Sequence, residues 1–495
     1  MFKTITSALK GSLVYGLGNI SIKLIGLFLF PLYTEKFTLE EYGIIGILDI
    51  SSQVLVAIFG LSLSSALFRF YFDKKYKGKQ GELVFSTLSI LIVVALGFVL
   101  VLTNFTGEIS TLLFQAKDQE PLIRIILIAS SLQVINNIPN TVLRLKEKAK
   151  LYALTNLAKV TVILVTTIFF IVRMETGIIG VYYGQICGSA VYLLILSGFL
   201  IKNSTFRFNR PATLEMLAFS TPLIFSSLSA VTLTVLDRYS LNYLVGLDDV
   251  GIYSAGYKIA NVLLFVVMAS QLALPTILFK NMDDKNSKRL YSKVMTYSTY
   301  SLMIMVIFMS VFGLEIVKVL ARNPSYWSGY MIIPFITLSI LFNSMRYLLT
   351  LNLSIVKKTL IVALIVTIMS ALNLGLNILL IPKYQANGAA VSTMLTQLIF
   401  LLTTYFIAQR HYRVPYEIRK LLLIVFAGVA FIILGLLTNG FPLYLRLLIK
   451  LALCLLFPFI LYFFHFYEKV ELVRIKEIFQ LMLHPKKALQ SLRKQ

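Results

Sequence analysis

Two cysteines, three histidines and one tryptophan are all that 495 residues supply of those types, and Asp, Glu, Lys and Arg together make up only 14% of the chain. These scarcities exclude whole chemistries. Cys187 and Cys454 both fall inside apolar runs, while His411, His465 and His484 are scattered along the C-terminal part. Neither a disulfide framework nor a metal site with ligand spacing is expected from them. No GxxxxGK[ST] loop for a nucleotide is present, and no cofactor is implied. The segments between alternate apolar runs are short, which leaves no extramembrane domain to house a catalytic centre. An enzyme is therefore not expected.

What the chain has is apolar length. Apolar residues make up 58% and the mean hydropathy is +0.83, whereas soluble domains carry about a quarter charged residues. Apolar runs of about 20 residues, enough to cross roughly 30 Å of hydrocarbon, recur throughout. Fourteen are expected, starting near Ser12, Gly43, Glu82, Pro121, Leu151, Gly177, Leu214, Val250, Val294, Met331, Thr359, Gly388, Leu421 and Leu445. The first reads as a retained span, because Lys23 interrupts its apolar run and no small-residue cleavage site follows. The fold class is thus an all-α integral membrane protein.

The formal net charge of +24 invites a nucleic-acid reading, but the basic residues alternate by loop. Loops after the even spans hold clusters such as Lys74, Lys75, Lys77 and Lys79, then Arg144, Lys146, Lys148 and Lys150, then Lys285, Lys288, Arg289 and Lys293. Loops after the odd spans offer about one each, such as Lys36, Lys117, Arg173, Arg322 and Lys383. This is the positive-inside pattern. It places both termini in the cytoplasm, makes membrane lipids the expected partner of the basic surplus, and leaves no nucleic-acid partner.

Two corners look alike. "FTLEEYGIIGILDI", from Phe37, and "VGLDDVGIYSAGYK", from Val245, each place two acids just ahead of a glycine, and Gly43 and Gly251 lie 208 positions apart. The same offset carries the loop Asp73 to Gln80 onto Asn281 to Lys288, Lys150 onto Lys358, and Gly180 onto Gly388. A duplicated six-span unit is the preferred account. An even number of spans makes the copies parallel, related by a pseudo-twofold axis along the membrane normal, with a substrate path at their interface. The expected organisation is an N-lobe over 1–208, a C-lobe over 209–416, and two further helices with a basic tail over 417–495. Asp248 and Asp249 are expected to cap the eighth span, with Gly251 permitting close packing, and Glu40, Glu41 and Gly43 to repeat the device on the second.

The stretches "PLYTEKFTLEEYGIIGILD", "LDRYSLNYLVGLDDVGIYSAGYKIANVLLFVVMASQLALPTILF" and "IPKYQANGAAVSTMLTQ" resemble bacterial polysaccharide flippases. These are the O-antigen, capsule and exopolysaccharide exporters of the multidrug, oligosaccharidyl-lipid and polysaccharide exporter superfamily. The resemblance implies a V-shaped, two-lobed fold with a central cavity and alternating access. It also implies an undecaprenyl diphosphate-linked oligosaccharide as cargo, carried from the inner to the outer leaflet of the bacterial cytoplasmic membrane. Other polysaccharide assembly proteins are the partners that such a role brings into view. The alternatives are a multidrug antiporter or a peptidoglycan-precursor flippase of the same superfamily and, from another class, a membrane glycan polymerase or ligase.

Charges buried along the spans are the candidate site. Lys258 lies eight residues beyond Val250, roughly 12 Å into the hydrocarbon, where a charge costs at least about 2.5 kcal/mol unless it faces a partner or a wet cavity. Its counterpart at the 208 offset is Ile50, beside Asp49. Asp237 and Arg238 are at similar depth, Lys23 is near the middle of the first span, and Lys159 and Arg346 are nearer the cytoplasm, within snorkelling reach. Two readings compete. In one, Asp49, Lys258, Asp237 and Arg238 neutralise one another and fasten helices. In the other, Lys23, Lys258 and Arg238 line a cationic cavity suited to a diphosphate, and Asp49 or Asp237 takes a coupling proton or sodium ion.

Overall fold

The computed structural model describes residues 25–280, 286–355, 359–464 and 466–468. Lys23, Lys285, Lys358, His465 and His484 lie outside the described residues, so the repeat landmarks at Lys285 and Lys358 and the candidate at Lys23 have no structural account. Among the described residues the regular structure is entirely helical. Ten of these helices are long and apolar enough to cross a membrane. The expected span starts from Gly43 onward fall inside a helix or within a few residues of one. The eleventh and twelfth share the helical run Thr359–His411, which breaks at Gln385, where φ is 53° and ψ is −134°.

The described chain divides into two compact units. One comprises the residues up to Asp284 together with Gly313–Arg413; the other comprises Lys285–Phe312 together with the residues from Val414. The ninth expected span, Ser287–Val311, thus groups with Ile418–Leu437 and Leu443–Phe463. Inside that second unit Glu417, at the start of its helix, accepts hydrogen bonds from Lys293 Nζ (2.9 Å) and Thr296 Oγ1 (2.9 Å), joining two of the three helices.

In the first unit the two look-alike corners meet. Thr38 caps the helix Leu39–Phe59: its Oγ1 accepts from Glu41 N (3.2 Å), and Glu41 Oε2 accepts from Thr38 N (2.8 Å). This is a capping box, legible in the sequence as Thr-x-x-Glu. The second corner departs from expectation. The helix Leu247–Ala260 has Gly246 at its N-cap and no side-chain cap. Asp249 Oδ1 instead accepts from Ala386 N (3.1 Å), the first amide after the break at Gln385. A helix start has amides with no partner inside the helix, and Asp249 supplies one from a neighbouring element.

The glycines serve the packing role expected of them, and they do so reciprocally. A Cβ added at Gly43 would sit 2.1 Å from Leu247 O, and one added at Gly251 would sit 2.2 Å from Leu39 O. Each glycine thus receives the first helical carbonyl of the other corner. Further ties cross this end of the unit. Tyr326 Oη lies 2.9 Å from Phe37 O and 2.7 Å from Thr38 O, and Arg322 pairs with Glu35.

Because backbone, not a flexible side chain, blocks a Cβ at these positions, Gly251→Ala is expected to cost about 1–3 kcal/mol or more through overpacking. Gly375→Ala, where a Cβ would meet nothing within 4 Å, is the control. Thermal unfolding of the purified full-length protein should show a clear drop in Tm for Gly251→Ala alone; equal Tm values would refute the close crossing.

Candidate functional site

Two helices that cross at the glycine corner carry the central charges inward. Asp49 is ten residues beyond Leu39 and Lys258 is eleven beyond Leu247, roughly 15 Å along each helix axis. Both line a cavity of about 590 Å³, to which Arg238 also contributes. Three of the sequence candidates are therefore brought together. Asp237 is not among the residues lining that cavity.

The cations are held by aromatic faces. Lys258 Nζ lies 5.5 Å from the ring centre of Tyr33 and 5.6 Å from that of Tyr42. Gly26 leaves the room it needs, since a Cβ there would sit 2.8 Å from Lys258 Cε. The Arg238 guanidinium lies 4.7 Å from the ring centre of Tyr257 and 5.6 Å from that of Tyr253, and its Nε donates to Ser254 Oγ (3.0 Å). None of the ion pairs among the described residues involves Asp49, Lys258 or Arg238. Cation–π contact is worth about 2 kcal/mol or more when desolvated, and it leaves the formal charge uncancelled.

Asp237 and Arg238 are adjacent in sequence but point apart, since consecutive helical residues are about 100° apart around the axis. Asp237 is buried and accepts from Tyr253 Oη (2.8 Å), Asn377 Nδ2 (3.0 Å) and Thr393 Oγ1 (2.5 Å). Asn377 Nδ2 is also 3.3 Å from Asn373 Oδ1, and Asn377 Oδ1 is buried without a partner. Neutral donors from three helices thus surround this carboxylate. It does not form a salt bridge with its neighbour.

Other residues matter more than their sequence context suggests. Lys159 lines a second chamber of about 250 Å³, which shares Asp49, Gln133, Gln185 and Lys258 with the first. Arg346, also expected to snorkel, lies 4.0 Å from the ring centre of Phe400 and bonds to Asn343 Oδ1 (2.5 Å). Gln133 and Gln185 are not among the sequence candidates, and the signal that marks them is an amide inside an otherwise apolar run. No group of three or more metal-binding side chains occurs among the described residues.

The described helices thus enclose a polar, cation-bearing cavity within an apolar helical unit. The fold is shared with "Lipid II flippase MurJ, inward closed conformation", at TM-score 0.73 and 18% identity, over 91% of this chain and 99% of that one. An inward-facing multidrug resistance MATE family transporter of the MOP superfamily matches at TM-score 0.61 and 15% identity, over 81% and 94%. The polysaccharide biosynthesis protein family matches residues 8–282, and the chain belongs to that family. A product of the Lsg locus of Haemophilus influenzae is 21% identical over 282 residues, 56% of this chain and 67% of that protein.

The contrast between the two acids is testable. In Asp237→Asn an amide NH₂ or a single oxygen must meet three donors, and a buried mismatch of this kind costs about 1–3 kcal/mol. Asp49→Asn disturbs no side-chain hydrogen bond among the described residues. The first variant should lower Tm in a thermal melt of the purified protein by more than the second, which removes only a charge facing Lys258 and Arg238 across the cavity.

Proposed function

We propose that this protein is a flippase that turns an undecaprenyl diphosphate-linked oligosaccharide from the inner to the outer leaflet of a bacterial cytoplasmic membrane, for cell-surface polysaccharide biosynthesis. The observation that carries this is the net positive charge of one cavity, where Lys258 and Arg238 rest on aromatic faces and Asp49 is the one acid among the lining residues. A diphosphate must shed much of its hydration to cross, and fixed ammonium and guanidinium groups replace that water through charge-assisted contacts. In this reading sugars fill the remaining space, and the lipid tail stays in the membrane. Lobes 1–208 and 209–416 alternate access around the site, with both termini cytoplasmic. Membership of the polysaccharide biosynthesis protein family supports the cargo class.

Energy coupling is assigned to Asp237, with a proton or sodium ion as the coupling species. Its support is a carboxylate away from the cavity and ringed by neutral groups, with Asn377 Oδ1 left over as an oxygen ligand. Asp49, facing two cations across the cavity, suits charge balance better than ion coupling.

In proteoliposomes, leaflet-resolved detection should show the lipid-linked oligosaccharide reaching the opposite leaflet. Lys258→Glu should reduce that rate at least about tenfold, and Lys258→Arg should retain part of it. Asp237→Asn should remove the dependence on whichever ion gradient drives wild type. Movement of a peptidoglycan precursor instead would identify the related flippase activity. Expulsion of small cationic drugs with no lipid movement would make this a multidrug antiporter.

A further inference from the structure

The second chamber has a chemistry of its own. Lys159 stands ten residues beyond Ala149, roughly 15 Å along its helix and therefore at mid-bilayer depth. Its Nζ lies 5.4 Å from the ring centre of Tyr192, a ring fixed by its hydroxyl donating to Asn140 Oδ1 (2.7 Å), which also accepts from Asn156 Nδ2 (3.2 Å). No ion pair among the described residues includes Lys159, and the one acid lining its chamber is Asp49, which also faces Lys258. Nor can the chain before the described residues neutralise it, because the first acidic residue in the sequence is Glu35.

Around this cation the chamber supplies neutral hydrogen-bonding groups. Gln133 and Gln185 reach it with side-chain amides that bond to no other described residue, Ser189 lines it, and the fully buried Thr167 hydroxyl has no partner. An amide offers both donor and acceptor, which suits hydroxyls flanking an anion. The remaining walls are aliphatic or aromatic, as in sites that hold a ligand by a few placed polar groups. A mid-membrane lysine on an aromatic platform, beside unoccupied amides, has the elements of an anion-recognition site.

We infer that this chamber recognises an anionic substituent, a carboxylate or a phosphate, on a sugar close to the lipid diphosphate, so that the preferred cargo is an acidic glycan. The inference rests on the flippase reading above. Lys159 supplies the charge, Gln133 and Gln185 orient the ring that bears the substituent, and Lys258, shared by both chambers, sets the diphosphate beside it. Lys159 is thus a specificity determinant, distinct from the groups that hold the diphosphate common to every lipid-linked cargo.

The test uses full-length protein in lipid nanodiscs and three synthetic undecaprenyl diphosphate disaccharides that differ in the outer sugar: glucose, glucuronic acid or glucose 6-phosphate. Binding is measured by competition against a fluorescent analogue. Wild type should bind at least one acidic probe about tenfold tighter than the neutral one, as expected for one hydrogen-bonded charge. The stronger of the two identifies the substituent. Lys159→Gln should lose that margin and keep its affinity for the neutral probe, Lys159→Arg should keep most of the margin, and Lys258→Gln should weaken all three alike. Equal binding of the three probes by wild type, or a margin that survives in Lys159→Gln, overturns this inference and leaves the flippase reading intact. Failure of folded wild type to bind any probe overturns both.

Discussion

An ionised side chain at the centre of a bilayer must replace its water with something, at a cost of about 2.5–3.5 kcal/mol when it stands at mid-span, and much of this structure follows from how that is done. Lys258 and Arg238 are given tyrosine faces, which lower the cost of burial without supplying a counter-charge. Asp237 is given a hydroxyl from Tyr253, a hydroxyl from Thr393 and an amide from Asn377. The outcome is a division of labour by sign. Net positive charge remains in a cavity that Asp49 also lines, while a second acid is enclosed by donors at a junction of helices.

That division depends on the glycine corner. Gly43 and Gly251 let each helix accept the other's first carbonyl, and this close approach fixes the register from which Asp49 and Lys258 project into one space. Asp249 adds a second tie by capping the helix that begins at Ala386, part of the same helical run that carries Asn377 and Thr393 to Asp237. The corner and the enclosed acid are mechanically linked through that run. A change in the crossing angle would reach both the cavity and Asp237.

Much of this is legible in the amino-acid sequence. The Thr38–Glu41 box follows the Thr-x-x-Glu pattern, the glycine pair stands out by its repeated spacing, and Lys258 and Arg238 are conspicuous as charges deep in apolar runs. Asp249 departs from its expectation because a cap is a role defined on the residue's own helix, whereas its partner belongs to another element. The three-helix grouping of Ser287–Val311 with Ile418–Leu437 and Leu443–Phe463 is hidden likewise, because an offset between similar stretches does not report which faces are packed together.

By itself the sequence determined that this chain lives in a bilayer, that it is helical, and which charges must be accommodated within the spans. These are properties of composition, run length and local pattern, and each is a sum over neighbours in the chain. Only the tertiary structure decided that Arg238 faces the cavity while Asp237 turns away, that Lys159 lines a second chamber that Lys258 also lines, and that Asp249 serves a helix more than a hundred residues distant. The physical reason is azimuth. A single span of apolar residues all round has almost no preferred face, so the direction in which its few polar side chains point is set by the helices packed against it and not by its own sequence.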